Sequence, residues 1–475
     1  MNVAIFTGEA SGDRVGAQLV QEMRRLRPDW GFWGTGGKYL REAGVDLFLD
    51  TSRWGVVGIA QGLALVPRAV RALNAIEREL ERRKPDLVVC IDAGAFNVGF
   101  GPIRGVARRA RVCLPRTPVF YYFPPGSWRR KLSRTDLAEL ADAVATPFPW
   151  SETELRRLGV DATFVGHPLL DLVKPTLPAD EFAKRHGIDR EHPVVGILPG
   201  SRAAEIAEIL PVQIAAAEVV HRRVPGVHFV LALAPTVDRA RVEGLLQAHR
   251  DAEAARLRQE AQRQTEELRQ RDHDGDAAPI GVPAVVEGQP LSPDELARRQ
   301  KEWIRRAAEM PRRPHGPLPV TIIEDAAYDV MAASDVLLVA SGTATLEAAI
   351  LGKPMVIVYR IGVNPVSRLQ YALVKNKMPR FIGLPNLLAD REIVPERVQD
   401  AATPEALAEP IIDYLLEPER MLQARKELQA VVGLLGETGG AVRAAAQAVG
   451  LAERGPRAAP RPSQQTPGTN AGGGR

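Results

Sequence analysis

The stretch VVGILPGSRAAEIAEILPVQI, Val194–Ile214, carries the pattern on which the interpretation of the fold depends. Its first five residues, Val194–Leu198, form a continuous apolar run that predicts a buried strand. The turn from Pro199 to Ser201 then opens a helix that we expect to continue to about His221. A strand, a glycine-containing turn and a helix in this order form the repeating unit of doubly wound α/β domains.

The same unit recurs on both sides of this stretch. Apolar runs that are continuous rather than alternating are typical of parallel strands covered on both faces. The predicted strands are Val3–Thr7, Leu87–Ile91, Pro118–Phe123, Ala143–Thr146 and Ala162–Val165 in the first half, and Val227–Leu233, Val320–Ile323, Val336–Val339 and Met355–Tyr359 in the second. We therefore predict an α/β protein with two Rossmann-like domains, and a cleft between the carboxyl ends of their sheets.

The domain boundaries follow from where this alternation of strands and helices starts and stops. We predict a first domain over 1–172, a second over 173–400, C-terminal helices over 401–454 and a disordered Pro-, Gly- and Arg-rich tail over 455–475. The rhythm breaks at about 238–317, which we interpret as a helical insertion in the second domain, with a polar helix over Asp251–Arg271 and another beginning near Ser292. The insertion is either a lipid- or partner-contacting hairpin or an exposed decoration that packs Trp303 onto its own domain.

Composition restricts the class of protein. The chain has 475 residues and a net charge of +4, yet the segment Met1–Leu170 alone holds 24 Lys and Arg against 18 Asp and Glu. This surplus fits an anionic lipid, a phosphorylated substrate, a nucleic acid or simply a soluble surface rich in Arg. No signal peptide and no apolar run long enough to span a bilayer is apparent, and Cys90 and Cys113 have no metal or redox spacing. These features predict a cytoplasmic protein that touches a membrane surface at most.

Two turns in the second domain have the residues of a phosphate site. Gly200, Ser201 and Arg202 follow the strand described above, where backbone N–H groups, a helix dipole and a guanidinium would meet an anion. The alternative is an ordinary turn with Ser201 as the helix cap. Neither this turn nor the next matches the P-loop or the GxGxxG pattern, which disfavours a nucleoside triphosphatase and a dehydrogenase.

The second such turn is Ser341-Gly342-Thr343, which follows the strand Val336–Val339. It can hold a pyrophosphate, and Glu347, one turn into the next helix, can accept hydrogen bonds from ribose hydroxyls. The presence of two phosphate-type turns at strand ends in one domain supports a phosphate site more strongly than either turn alone.

The first domain offers carboxylates at two strand ends. Gly8, Glu9, Ser11, Gly12 and Asp13 form the first strand–helix turn, where Glu9 and Asp13 supply carboxylates unless Ser11 or Asp13 only caps the helix. Asp92 follows the strand Leu87–Ile91, with Asn97 nearby, and is either a general base or a turn residue. We interpret His167 as a hinge residue or an interdomain hydrogen-bonding group. The segment Asp272–Asp276 lacks the ligand spacing of an EF-hand, so we predict no metal site there.

Together these motifs resemble the lipid-A-disaccharide synthase family. They are GEASGD at Gly8–Asp13, VVGI at Val56–Ile59, IDAGAFN at Ile91–Asn97, FVGHPLLD at Phe164–Asp171, LPGSR at Leu198–Arg202, ASDVLLVASGTATLEAAILGKPMVIVYR at Ala333–Arg360 and LPNLL at Leu384–Leu388. Their order is that of the family, and they cover the chain to about Gln399 apart from the insertion. The resemblance implies a GT-B glycosyltransferase.

It also implies the reaction. An inverting enzyme would join UDP-2,3-diacylglucosamine to 2,3-diacylglucosamine 1-phosphate and release UDP and a β-1,6-linked disaccharide 1-phosphate. It would need no cofactor or metal, would work at the cytoplasmic face of the inner membrane, would not bind nucleic acid and could be a homodimer. The two turns would bind the diphosphate, Glu347 the ribose with Asn386 nearby, and Gly8, Ser11, Gly12 and Asn97 the acceptor side.

The first domain departs from the family pattern at three places. The family's IDAPDFN reads IDAGAFN here, so Ala95 occupies the position of the favoured base. Gln61 replaces a usual Glu, and the SPSVWAW stretch has become Pro124–Arg130. Asp92, Glu9 or Asp13 would have to supply the base instead. The alternatives are a related UDP-sugar transferase with another acceptor, a non-catalytic homologue that binds UDP-sugar or lipid, and a UDP-sugar epimerase of the same fold.

Overall fold

A computed structural model describes residues 1–8, 10–51, 59–124, 126–132, 135–271, 318–360 and 379–456. It contains two lobes, each built on a parallel sheet covered by helices on both faces. The prediction of two Rossmann-like domains is confirmed. Outside these ranges lie Glu9, the VVGI segment as far as Gly58, 272–317 with the helix predicted near Ser292, and 457–475, most of the predicted tail.

The first lobe is built on a seven-stranded sheet in the order β3-β2-β1-β4-β7-β8-β9. Its strands, with the separate antiparallel pair β5 and β6, are β1 (Asn2–Thr7), β2 (Gly31–Gly36), β3 (Asp46–Asp50), β4 (Leu87–Ile91), β5 (Gly99–Phe100), β6 (Ile103–Arg104), β7 (Val119–Tyr122), β8 (Ala143–Thr146) and β9 (Ala162–Phe164). Its helices are α1 (Ala10–Leu26), α2 (Lys38–Glu42), α3 (Ile59–Arg83), α4 (Gly94–Asn97), α5 (Val106–Cys113), α6 (Leu137–Leu140), α7 (Pro149–Arg157) and α8 (Leu169–Leu172). Strands β4 and β7 are buried along their whole length, as their continuous apolar sequences require.

The second lobe has a six-stranded sheet in the order β12-β11-β10-β13-β14-β15. Its strands are β10 (Val194–Leu198), β11 (His228–Leu233), β12 (Val320–Glu324), β13 (Val336–Ala340), β14 (Met355–Tyr359) and β15 (Glu396–Val398). Its helices are α9 (Ala179–Arg185), α10 (Ala203–Arg223), α11 (Arg239–Arg271), α12 (Ala327–Ala333), α13 (Thr343–Ile350), α14 (Leu384–Ala389), α15 (Pro404–Leu416) and α16 (Pro418–Gly433), with a 3-10 turn at Gln399–Ala401. The central strands β10 and β13 are paired in parallel, so the turns that follow them begin at the same edge of the sheet.

The last helix, α17 (Gly440–Arg454), returns to the first lobe. Its alanine-rich face, which includes Ala444 and Ala448, belongs to the same buried cluster as Leu19 and Met23 of α1. Small side chains allow the two helices to approach closely. The segment 401–454 contains the helices α15, α16 and α17, and the apolar face of α17 is buried by the first lobe.

The chain crosses between the lobes at two adjacent places. The Asp171 carboxylate accepts hydrogen bonds from the N–H groups of Gly439 (2.8 Å) and Gly440 (3.1 Å) and so caps α17. A Cβ on Gly166 would lie 2.7 Å from the Glu437 carbonyl oxygen, so this crossing requires glycine. His167 is buried, and its backbone N–H donates to the Leu435 carbonyl oxygen at 2.9 Å. Burial lowers the pKa of the imidazole to about 3, and the hinge role of His167 stays a prediction.

The polar helix predicted at the start of the insertion is present as α11, and it begins twelve residues earlier than predicted, at Arg239 rather than Asp251. Val242 and Leu246 anchor its first turns in the core of the second lobe. Among the described helices, none is long and apolar enough to cross a membrane. Both cysteines are free thiols.

Candidate active site

The turn after β1 packs tightly against the turn after β4. A Cβ on Gly8 would lie 2.6 Å from the Ala93 Cβ and 3.3 Å from the Phe96 Cβ. Gly12 is buried one helical turn further on, where a Cβ would lie 3.4 Å from that of Thr7. Ser11 is half-buried between them. Glycine at these positions lets the two strand-terminal turns form one wall of the cleft.

Asp13 lies below this wall and is nearly inaccessible to solvent. Its carboxylate accepts hydrogen bonds from the N–H groups of Gly37 (2.6 Å), Tyr39 (3.0 Å) and Leu40 (3.3 Å), the N-terminus of α2. Burial raises the pKa of Asp13, and these three donors oppose the rise. We correct its assignment as a catalytic carboxylate: it caps a helix, although the helix is α2 rather than its own.

Asp92 stands at the carboxyl end of β4 in a strained conformation. Asp92 and Ala93 have φ values of +48° and +44°, a left-handed region that non-glycine residues rarely occupy. The Tyr121 hydroxyl donates to the Asp92 carbonyl oxygen at 2.7 Å and holds the turn in place. The Asp92 side chain is half-buried, and Ala95, three residues on, is exposed. Asp92 is thus a carboxylate on a rigid turn at the strand end that faces the cleft.

Asn97 stabilises the Asp92 turn through hydrogen bonds to its backbone. Its side chain is fully buried, and its amide donates to the carbonyl oxygens of Ile91 and Asp92, both at 3.0 Å. These bonds join the end of β4 to α4. We correct the assignment of Asn97 to substrate contact, because its amide group serves the backbone of the Asp92 turn.

In the second lobe, the first phosphate-type turn is organised by Glu205. Gly200 has a φ of +108°, and the Glu205 carboxylate accepts from the N–H groups of Ser201 (3.2 Å) and Arg202 (3.3 Å). The same carboxylate accepts from Arg202 Nη1 at 2.6 Å. The N-cap of α10 is therefore Arg202 rather than Ser201, and the Glu205 side chain completes a capping box. The Glu205 carboxylate thus occupies the turn as an internal anion, and it holds the Arg202 guanidinium beside the cleft.

The second turn leaves its helix N-terminus open. Gly342 and Thr343 are exposed at the start of α13, and no side chain caps this helix among the described residues. The Ser341 N–H donates to the Val358 carbonyl oxygen at 2.9 Å, and its hydroxyl to that of Ile382 at 3.2 Å. Uncapped N–H groups at a helix N-terminus attract negative charge. The two turns follow paired strands, so Arg202 and this N-terminus lie at one edge.

Glu347, one turn into α13, is connected to Arg14 of the first lobe through Tyr328 of its own lobe. The Tyr328 hydroxyl donates to Glu347 Oε1 at 3.1 Å, and Arg14 Nη1 donates to the same hydroxyl at 2.8 Å. Arg14 also donates to the Tyr39 hydroxyl at 3.0 Å. Burial raises the pKa of Glu347, whereas Tyr328 and Arg14 lower it. Sequence reasoning missed Arg14 and Tyr328, because residues 314 positions apart form no local pattern.

Asn386 has no hydrogen-bonding capacity left for a ligand. Its amide donates to the Val394 carbonyl oxygen (2.8 Å) and to Glu396 Oε2 (2.9 Å), and its oxygen accepts from the N–H groups of Ile393 and Val394. Glu396 in turn accepts from the N–H of Gly383 at 2.8 Å. We correct the assignment of Asn386 to the nucleotide: it organises the loop beneath α14.

No group of three or more His, Cys, Asp or Glu side chains with metal-site geometry occurs in the described ranges. The segment Asp272–Asp276 lies outside them. The groups along the cleft are backbone N–H groups, Arg202, Glu347 and Asp92. These groups can bind an anionic ligand on one side and take a proton on the other.

Two Rossmann-like lobes whose strand ends face a common cleft, with phosphate-type turns in the second lobe, form the GT-B fold. The sequence profile of the family described as lipid-A-disaccharide synthetase matches residues 3–266 and 301–449. The chain belongs to this family. It is a hexosyltransferase of lipid A disaccharide synthesis.

Individual relatives agree with this assignment. The lipid-A-disaccharide synthase of Geobacter sulfurreducens is 34% identical over 440 residues, which cover 92% of this chain and 94% of the relative. That of Syntrophus aciditrophicus is 32% identical over 455 residues, 95% and 98% of the two chains. Among solved structures, S. aureus MnaA, in a co-structure with UDP, is similar with a TM-score of 0.52 at 11% identity over 95% of each chain. That last likeness concerns the fold alone.

Proposed function

We propose that this hexosyltransferase joins UDP-2,3-diacylglucosamine to 2,3-diacylglucosamine 1-phosphate, with inversion at the anomeric carbon. The products are the β-1,6-linked disaccharide 1-phosphate and UDP. The observation that carries the proposal is the pairing of β10 with β13, which brings the turns Gly200–Arg202 and Ser341–Thr343 to one edge of the sheet. One turn supplies a guanidinium and the other an uncapped helix N-terminus.

The donor diphosphate binds between these two turns. The N–H groups of Gly342 and Thr343 face its oxygens, and Gly200, Ser201 and Ser341 shape the backbone around it. Arg202 then neutralises the charge that develops on the leaving UDP. Glu347 accepts from the ribose hydroxyls through the oxygen that Tyr328 does not use. This donor side needs no metal, because fixed dipoles and a guanidinium supply the positive potential.

The acceptor binds along the wall formed by Gly8, Ser11 and Gly12, and Asp92 acts as the base. Asp92 takes the proton of the acceptor's 6-hydroxyl as that oxygen bonds to the anomeric carbon of the donor. The bond between this carbon and the diphosphate oxygen breaks at the same time, and UDP leaves with the electron pair. The strained Asp92–Ala93 turn supports this choice, because such conformations persist where the surroundings hold them for function. Glu9, directly after Gly8, is the second candidate.

A second candidate function rests on Ala95. This exposed residue occupies the position at which the family pattern has an aspartate. A transferase of a different acceptor, or a homologue that binds UDP-sugar or lipid without turnover, would tolerate this change more easily than the reaction above.

We also propose that the first lobe docks on the cytoplasmic face of the inner membrane. The tip of the β5–β6 hairpin presents Phe100, 72% exposed, beside the exposed Arg104. Val112 on the neighbouring helix α5 is 59% exposed. An exposed aromatic residue flanked by Arg suits an anionic lipid surface. A homodimer is part of the same proposal and rests on the family resemblance alone.

The test is incubation of the purified protein with UDP-2,3-diacylglucosamine and 2,3-diacylglucosamine 1-phosphate, followed by mass spectrometry. The disaccharide 1-phosphate and UDP should form in equal amounts. UDP release only with another lipid acceptor would favour the different-acceptor function. Tight UDP binding without turnover on any acceptor would favour the non-catalytic one.

A further inference from the structure

A chain of polar contacts crosses the cleft between the lobes and ends on Glu347. Arg14 comes from α1 of the first lobe, and Tyr328 and Glu347 come from α12 and α13 of the second. The guanidinium donates to the Tyr328 hydroxyl at 2.8 Å, and this hydroxyl donates to Glu347 Oε1 at 3.1 Å. The carboxylate that the proposed function assigns to the ribose is thus connected to the opposite lobe.

Arg14 is held in a defined place by aromatic rings from both lobes. Its guanidinium carbon lies 4.9 Å from the ring centroid of Tyr39 and 5.2 Å from that of Tyr328. Both distances fall within the range of cation–π attraction. Arg14 also donates to the Tyr39 hydroxyl at 3.0 Å, so the guanidinium spans the cleft between the two phenols.

The Tyr328 hydroxyl determines what Glu347 can offer a ligand. It hydrogen-bonds one carboxylate oxygen, Oε1, and leaves Oε2 for the ribose hydroxyls. A half-buried carboxylate is a stronger hydrogen-bond acceptor when it is ionised, and burial raises its pKa and so opposes ionisation. The positive charge of Arg14, which reaches Glu347 through the Tyr328 hydroxyl, lowers the pKa of Glu347 only while the lobes are together.

We propose that Arg14 and Tyr328 are positioning residues that couple occupation of the ribose site at Glu347 to apposition of the two lobes. This inference rests on the proposed function, because it takes Glu347 as the ribose acceptor. A nucleotide that hydrogen-bonds Glu347 favours the closed arrangement, and closure strengthens nucleotide binding by the same factor. Arg14 therefore affects donor affinity without touching the donor.

The experiment measures UDP binding by isothermal titration calorimetry to the wild type, Arg14→Gln, Tyr328→Phe and the double variant. Each single substitution should weaken UDP binding about five- to tenfold. The double variant should lose little more than either single variant, because both substitutions break one chain of contacts. The same titrations with 2′,3′-dideoxy-UDP should show weaker wild-type binding and almost no effect of either substitution.

Lys38→Gln is the matched control. Lys38 belongs to the same lobe and reaches Asp325 of the other lobe at 3.8 Å, yet both side chains are largely exposed and the pair does not contact Glu347. Exposed ion pairs contribute little, so UDP affinity should stay within about twofold of the wild type. Thermal melts of every variant should be cooperative, which separates loss of coupling from loss of folding.

The outcomes separate the inference from the function on which it rests. A wild-type protein that binds no UDP overturns the proposed function, and the inference with it. UDP binding that Arg14→Gln leaves unchanged overturns the inference alone. Equal losses for UDP and dideoxy-UDP also overturn it, because the contacts would then act on the nucleotide independently of its ribose.

Discussion

Replacing Gly8 by alanine tests whether the Asp92 turn is held in position by close contact with the first strand–helix turn. The new Cβ would lie 2.6 Å from the Ala93 Cβ, where carbon atoms in contact stand about 3.5–4.0 Å apart. The Asp92–Ala93 turn therefore has to move by about 1 Å. Such overpacking costs about 1–3 kcal/mol of folding free energy.

The effect on turnover should be larger than the effect on stability. A displacement of about 1 Å at a reacting group can cost about 100-fold in rate, so Gly8→Ala should lower kcat for disaccharide formation by that order. The UDP dissociation constant should not change, because the displaced turn belongs to the other lobe. Disaccharide formation is followed by mass spectrometry, UDP binding by calorimetry.

The rescue variant makes this prediction specific. Adding Ala93→Gly removes the contacting methyl group and places glycine where φ is +44°, a conformation that glycine adopts freely. Gly8→Ala with Ala93→Gly should recover most of the lost rate, and Ala93→Gly alone should remain active. Wild-type turnover in Gly8→Ala, or no recovery in the double variant, would show that this contact does not position the Asp92 turn.

Three further predictions concern the base, the diphosphate and the buried His167. Asp92→Asn should lower kcat by about 100- to 10,000-fold with UDP affinity unchanged. A loss below tenfold in rate assays would mean that another residue is the base. Arg202→Ala should raise the UDP dissociation constant by at least about tenfold in calorimetry, and an unchanged value would contradict the assignment of the diphosphate. Because burial lowers the pKa of His167 from 6.5 to about 3, the unfolded chain binds the extra proton between these values, and the unfolding free energy falls as pH drops below about 6.5. The slope reaches about 1.4 kcal/mol per pH unit; urea denaturation of His167→Gln should show it flattened, and equal slopes would exclude this origin.

The strands that the sequence predicted are those with uninterrupted apolar runs. β4, β8, β10 and β14 begin and end at the predicted residues, because strands buried on both faces must be apolar throughout. β2 was not predicted, since its sequence GFWGTG breaks the apolar run with glycines that disfavour strands. β3 and β15 are edge strands, and their partly exposed residues produce a weak pattern.

The location of the site could be predicted from the sequence, but the roles of its polar residues could not. Strand ends in parallel sheets define the cleft, so the turns near Gly8, Gly200 and Gly342 were identified from local sequence. Whether a carboxylate or amide in such a turn meets a ligand depends on backbone donors and acceptors from distant segments. The Asp13 carboxylate accepts hydrogen bonds from residues about 25 positions away, so its helix-capping role has no local signature.

The donor diphosphate is proposed to lie between the two turns of the second lobe, and a crystal structure of the protein with UDP would show its position. We expect the diphosphate oxygens within hydrogen-bonding distance of the N–H groups of Gly342 and Thr343 and of the Arg202 guanidinium. UDP bound outside the cleft, or with its diphosphate turned away from both turns, would rule this binding mode out.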